Sequence, residues 1–237
     1  MRSMKIPLSR CKQLENECGP AALKSVLDYY NINVQLDDLT TEVSGQSPIK
    51  WRNWFYAMGS AALQRGLKAK VITLTTTIFD PTWYRLDKPQ LLQKLKAELK
   101  VVQERLNTFK ARDPYYFWHI PSYELAEIKA AISFIEHGGT IIFEPISKKK
   151  IYSYLRRRIP LLCGINPVLL HKIRRLPNDV SGSAWGHIVT VSGYTRDKFW
   201  ITDPSDWYAK KQIYQVDQDR LIESILRNDQ QLLAVYQ

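Results

Sequence analysis

The last hundred residues constrain the fold more than any other part of the chain. Beyond Gly138-Gly139, a helix stop, the sequence breaks into short runs of β-branched and aromatic residues that are apolar on both sides. These are Thr140 to Phe143, Ile159 to Cys163, His187 to Gly193 and Phe199 to Thr202, with Leu232 to Tyr236 placed to close a sheet. Runs this short, rich in strand-favouring residues, read as strands rather than helices. Ahead of them the periodicity is helical. Residues 18–30 put Ala22, Leu23, Val26, Leu27 and Tyr30 on one stripe, with Pro20 in the first turn, where its missing N–H costs nothing. Ser47-Pro48 opens a second helix that runs to Gln64 and stops at Gly66, and Lys70 to Leu74 follows as a short strand. Helices first and strands later is an α+β order, not an alternating α/β one.

Between Ile78 and His137 the texture changes. Leu92, Leu95, Leu99, Val102, Leu106 and Phe109 alternate spacings of three and four, a coiled-coil-like seam. A helix packed within its own domain, paired with Leu125 to Ile135, accounts for this seam better than dimerisation does. Tyr115, Tyr116, Phe117 and Trp118 join the two helices and read as core rather than as a binding platform. The segment 78–137 is therefore expected to be a helical insertion within a single domain spanning 1–237.

A chain of 237 residues can bury a sizeable core without disulfide or metal staples. Three cysteines do not make a disulfide scaffold. No apolar run approaches the roughly eighteen residues of a membrane span. The best candidate, Ile159 to Leu170, is broken by Gly164, Asn166 and Pro167. The opening MRSMKIPLSRCK lacks the apolar stretch of a secretory signal. A cytoplasmic location with free thiols is the expectation. The 34 basic residues outnumber 23 acidic ones, for a net charge of +11. That excess is scattered over Lys148 to Lys150, Arg156 to Arg158, Arg174-Arg175 and Lys210-Lys211, with no zinc-knuckle spacing or RNA-binding signature beside it. It suits an acidic partner or a solvated surface, and nucleic acid is not expected.

Three residues could do chemistry together. Cys18 stands at the mouth of a helix, whose N-terminal partial charge favours a thiolate nucleophile. A small buried hydrophobe is the alternative fate of an intracellular cysteine. His187 begins one strand and Asp203 ends the next. A turn centred on Thr195 sets 187 opposite 203, so the carboxylate can orient the imidazole across the strands and stabilise its charged form.

QLENECGPAALKSVLDYYNI (Gln13 to Ile32) resembles the Cys box of the bacteriocin-processing peptidases, papain-like domains that trim double-glycine leaders and are often fused to peptide-exporting ABC transporters. WGHIVTVSGYTRDKFWITDPSD (Trp185 to Asp206) resembles their His strand followed by the Asp-Pro strand, and IPLLCGIN resembles the core strand before it. The resemblance covers residues 8–75 and 138–237. It implies a papain-like cysteine peptidase fold with an N-terminal helical part, a C-terminal antiparallel sheet and a helical insertion. It also implies Cys18 as nucleophile, His187 as general base and acid, Asp203 as orienting group, and Gln13 as the side-chain half of an oxyanion hole completed by the Cys18 N–H. Gln13 lies five residues before Cys18, one fewer than the family spacing; Asn16 is a weaker substitute and Lys12 an unsuitable one. The transporter parts are missing: there are no spanning helices and no phosphate-binding GxxxxGK[ST].

The leading expectation is a cysteine peptidase acting on a peptide or protein through an acyl-enzyme. The same residues would support acyl transfer to an amine or thiol, and a non-catalytic peptide- or nucleic-acid-binding module is the third reading. No cofactor is expected. His119, His137 and His171 have no metal-ligand spacing, no dinucleotide fingerprint occurs, and Cys11 and Cys163 read as core or incidental thiols.

Overall fold

The computed structural model describes residues 3–14, 17–45, 55–108, 121–173, 186–207, 211–228 and 230–237. In chain order the elements are β1 (Met4–Lys5), α1 (Cys18–Tyr29), α2 (Leu36–Ser44), α3 (Phe55–Leu63), β2 (Lys68–Thr73), α4 (Lys88–Thr108), α5 (Pro121–Glu136) and β3 (Thr140–Phe143). They continue with α6 (Lys148–Leu155), β4 (Leu161–Ile165), α7 (Pro167–Leu170), β5 (His187–Tyr194), β6 (Lys198–Thr202), β7 (Ile213–Asp217), α8 (Gln218–Leu226) and β8 (Gln231–Tyr236). The fold is α+β, as the order of patterns implies. Gly66 (φ 80°) and Gly138 (φ 102°) stand in the left-handed region just past α3 and α5, where a residue without Cβ ends a helix at least cost.

The strands form one sheet in the order β3-β2-β8-β4-β5-β6-β7, and β1 pairs with the far end of β5. Among the described residues only β2 and β3 run parallel; the other pairs are antiparallel. Strand periodicity divides the core in two. Val71, Leu162, Ile188, Leu233 and Val235 face a cluster shared with α1 to α5. Their neighbours Ile72, Leu161, Cys163, Val189, Leu232 and Ala234 face a second cluster with α6 and α8. Helices thus cover both faces of the sheet. All eight residues of β5 are buried, which is why its sequence shows no polar alternation.

The seam of α4 is satisfied inside the chain. Leu95 and Val102 are buried, Leu92, Leu99 and Leu106 pack on the same cluster, and α4 lies along α5, which in turn packs on α3. Phe109, the aromatic cluster 115–118 and the start of the helix expected from Ser47 lie outside the described residues; that helix is described from Phe55.

The hairpin register differs from the expectation. The loop spans 195–198, closed by Thr195 N–H to the Lys198 carbonyl at 2.8 Å, so Tyr194 pairs with Phe199 and Gly193 with Trp200. An irregularity at Ser192 then shifts the ladder, and Thr190 opposes Thr202. Continued by one residue, this register sets Asp203 against Val189. His187 is therefore its diagonal neighbour on the same face, not its direct partner. Among the described residues no helix is long and apolar enough to cross a membrane.

Candidate active site

One end of the sheet gathers every element that matters here. Because β5 runs antiparallel to both β4 and β6, its first residue, His187, lies beside Ile165 at the end of β4 and near the end of β6, which Asp203 follows. The N-terminus of α1 is docked there as well, since the Cys18 Sγ accepts a hydrogen bond from the Ile188 N–H at 3.3 Å. The Cys-Gly-Pro-Ala-Ala start suits this position: Gly19, Pro20, Ala21 and Ala22 are small and buried, so the helix end approaches the sheet closely. The N-cap residue Glu17 makes no side-chain cap bond; its Oε2 accepts from Ser44 Oγ on α2 at 2.7 Å. Cys18 itself is half-buried.

His187 is 3% exposed and Asp203 0%. The His187 Nε2 and the Asp203 Oδ1 are 2.7 Å apart, which leaves Nδ1 as the ring nitrogen available to the Cys18 side chain, the other hydrogen-bond partner of the ring. Burial is the largest single influence on His187 and opposes its charged form. The hydrogen bonds to Asp203 and Cys18, with the charges of both, outweigh it and push the pKa up from 6.5 to about 9. Burial acts on Asp203 in the opposite sense to its hydrogen bonds with His187, Ser205 and Tyr214. Those bonds and the His187 charge prevail, holding the carboxyl below its ordinary range. Its oxygens are well supplied: Oδ1 also accepts from the Ser205 N–H at 2.9 Å, and Oδ2 from the Tyr214 hydroxyl at 2.7 Å. A buried carboxylate with three donors and a cationic neighbour meets the conditions under which a buried charge is tolerated. A thiol at a helix N-terminus thus faces an imidazole on a sheet, with a carboxylate behind it, the arrangement that the sequence resemblance implies.

A family model described as Peptidase_C39 like family matches residues 5–228. The chain belongs to this family. No curated protein matches it. Solved structures similar to it include a double glycine motif protease from an AMS/PCAT transporter in complex with the leader peptide, at 14% identity, covering 100% of this chain and 98% of that one, with a TM-score of 0.46. The peptidase domain of Streptococcus ComA, a bi-functional ABC transporter involved in a quorum sensing pathway, is 13% identical over 97% of this chain and 98% of that one, with a TM-score of 0.46. A putative C39-like peptidase from Bacillus anthracis is 13% identical over 100% and 98%, with a TM-score of 0.45.

In this C39-like chain the segment before Cys18 is tied to the Asp203 loop. The Arg10 guanidinium donates to the carbonyls of Asp203 (3.1 Å) and Pro204 (2.8 Å) and to the Asp206 carboxylate. The Gln13 N–H donates to the Pro204 carbonyl at 3.0 Å. Gln13 thus sits between the Cys box and the Asp-Pro turn, and its Oε1 is buried without a hydrogen-bond partner. Lys12 is turned to Asp206 at 2.8 Å, and Asn16 lies outside the described residues. The sequence reading did not single out Arg10, Ser205 or Tyr214. The Ser two residues after Asp203 was the one legible signal, because an Asp-x-Ser turn lets the carboxylate accept from its own loop. His171 has no metal-ligand spacing, yet the fold brings its Nε2 to 4.0 Å from the Asp203 Oδ2. Cys163 is fully buried, and burial pushes its thiol pKa up. Among the described residues no three His, Cys, Asp or Glu side chains are grouped to hold a metal ion.

Proposed function

We propose that this C39-like protein is a cytoplasmic cysteine peptidase in which Cys18, His187 and Asp203 form the catalytic triad. The observation that carries the reading is the alignment of a Cys18 docked at the start of β5 with a buried, charge-stabilised His187–Asp203 pair. The Cys18 sulfur attacks the scissile carbonyl carbon, and the new oxyanion is held by the Cys18 N–H and the Gln13 side-chain amide. The C–N bond then breaks as the His187 imidazolium gives its proton to the leaving amine, which leaves a thioester on Cys18. Neutral His187 next takes a proton from water as the water oxygen bonds to the acyl carbon; the C–S bond breaks, and the acid product departs. Asp203 keeps the ring oriented through both steps. The three free thiols suit a reducing compartment. Residues 78–137, read as an insertion within the single domain, would shape the cleft or dock a partner through α4 and α5.

Peptides carrying a double-glycine motif are the first substrates to try, because a similar structure holds a leader peptide. Turnover followed by mass spectrometry should show cleavage and, on acid quench, an acyl adduct on Cys18. His187→Ala should slow turnover by about 10²–10⁴-fold. Turnover that persists in Cys18→Ala overturns the proposal.

A further inference from the structure

Asp203 has a second line of support behind it, built from residues outside the Cys box and the His and Asp-Pro strands. Tyr214, on β7, puts its hydroxyl 2.7 Å from the Asp203 Oδ2, and the same hydroxyl lies 3.3 Å from the His171 Nε2. An ionised carboxylate can only accept, so the single hydroxyl proton points at Asp203. Only lone pairs then remain toward His171, so the His171 Nε2 carries a proton and donates it to the tyrosine oxygen. The direction of both bonds is thereby fixed.

We propose that Tyr214 and His171 are positioning residues of the candidate triad, a directed relay from His171 through Tyr214 that holds Asp203 charged and turned toward His187. This rests on the reading of Asp203 as the orienting group. Both members are anchored for the task. Tyr214 pairs with Ile201 across β6 and β7. His171 caps α7, its N–H bonded to the Pro167 carbonyl at 2.9 Å. That short helix is pinned to α8, where the Asn166 N–H donates to the Ser224 carbonyl (3.0 Å) and the Ser224 Oγ donates to the Asn166 carbonyl (2.8 Å).

Asp203 faces titratable or charged groups from every element around it: His187 from β5, Tyr214 from β7, Cys163 from β4, His171 beyond α7, and Arg10 from the N-terminal segment. Arg10 is engaged with the Asp203 backbone carbonyl rather than its carboxylate. The high thiol pKa of Cys163 keeps it neutral. Oδ1 already has two donors, so among the described residues Tyr214 is the donor on Oδ2, and its loss takes a hydrogen bond from a buried anionic oxygen. The carboxyl would then take up a proton at higher pH and release its hold on the imidazolium.

The test is an NMR titration of the four histidine rings in wild type, Tyr214→Phe, His171→Leu and His171→Gln. The acid-side inflection of the His187 signals, caused by protonation of Asp203, should move up by about one pH unit in Tyr214→Phe, a tenfold change in proton affinity. His171→Leu should shift it the same way by less. His171→Gln, whose amide can still donate to Tyr214, should return it to the wild-type position, which a merely structural role would not do. An unmoved inflection in Tyr214→Phe overturns the relay, and a glutamine variant shifted as far as the leucine one removes His171 from it. If Tyr214→Phe does not fold, the His171 pair decides, and equal inflections in wild type and His171→Leu overturn the proposal. Alkylation of Cys18 in the same samples and in His187→Ala keeps the two readings apart. A shifted inflection with Cys18 labelling indifferent to His187 leaves the relay standing and removes the peptidase reading.

Discussion

Asp203→Asn isolates the electrostatic role of the carboxylate. The substitution keeps size and shape. Its amide oxygen can still accept from the His187 Nε2 and the Ser205 N–H, while the amide nitrogen turns toward Tyr214, whose oxygen then accepts. What is lost is one negative charge 2.7 Å from the ring. An opposite charge this close shifts a pKa by about 1–3 units, and in wild type it acts with Cys18 to bring His187 to about 9 against burial. The variant's His187 should therefore titrate about 1–3 units lower, equivalent to about 1.4–4 kcal/mol of lost preference for the imidazolium. Ring-proton NMR from pH 5 to 10 reads this directly. The rate of peptide turnover should show the same change as a basic limb displaced toward neutrality, because acylation needs the protonated ring. A variant His187 that titrates within about 0.3 units of wild type would refute the reasoning that Asp203 is what sustains the imidazolium.

The other predictions concern the frame around the site. Arg10→Ala removes the bonds to the Asp203 and Pro204 carbonyls and should slow Cys18 alkylation about 3- to 10-fold, on the scale of one ordinary net hydrogen bond, with the far-ultraviolet circular dichroism unchanged. Gly59→Ala would bring a Cβ to 2.4 Å from the Phe134 ring, and because that ring is fully buried the fold should lose about 1–3 kcal/mol in urea unfolding. The elevated His187 pKa contributes stability that is fully present below the ordinary value of 6.5 and lost as pH rises through about 9. The stability gap between wild type and His187→Gln should therefore close over that interval, as thermal unfolding at several pH values would show. Cys163, with no exposure, should label with iodoacetamide only at the rate of global unfolding, which hydrogen exchange of β4 measures independently.

The candidate residues Cys18, His187 and Asp203 stand out in the chain because they sit at element boundaries that sequence marks well. A Cys-Gly-Pro helix start and a His strand followed by Asp-Pro give both identity and position. The hairpin register does not stand out. β5 is buried on both faces, so no polar alternation fixes its pairing, and neither the four-residue loop closed by Thr195 nor the irregularity at Ser192 leaves a pattern in the chain. Of the helices that passed unnoticed, α2, α6 and α8 did so for a different reason. In α6, Lys148 to Lys150 reads as a charge run, although Ser147 caps the Lys150 N–H and Ile151, Tyr154 and Leu155 repeat at helical spacing. In α8, Asp217 caps Arg220 ahead of Leu221 and Ile225. In α2, only Leu39, Val43 and Ser44 are buried, too thin a stripe to stand out. Tyr214 carries no local signal at all, since its meaning comes from an edge strand that folds back onto a carboxylate eleven positions earlier.

The most direct test of an activated Cys18–His187 pair is iodoacetamide labelling at about pH 6, read by peptide mass spectrometry, in wild type and His187→Ala. An ordinary thiol is under about 1% thiolate at that pH. Cys11, whose thiol pKa is raised by burial, and the buried Cys163 serve as internal controls. The account predicts fast, selective labelling of Cys18 that collapses to the level of the controls without His187. Labelling of Cys18 as slow as that of Cys11 in wild type, or equally fast in His187→Ala, would contradict it.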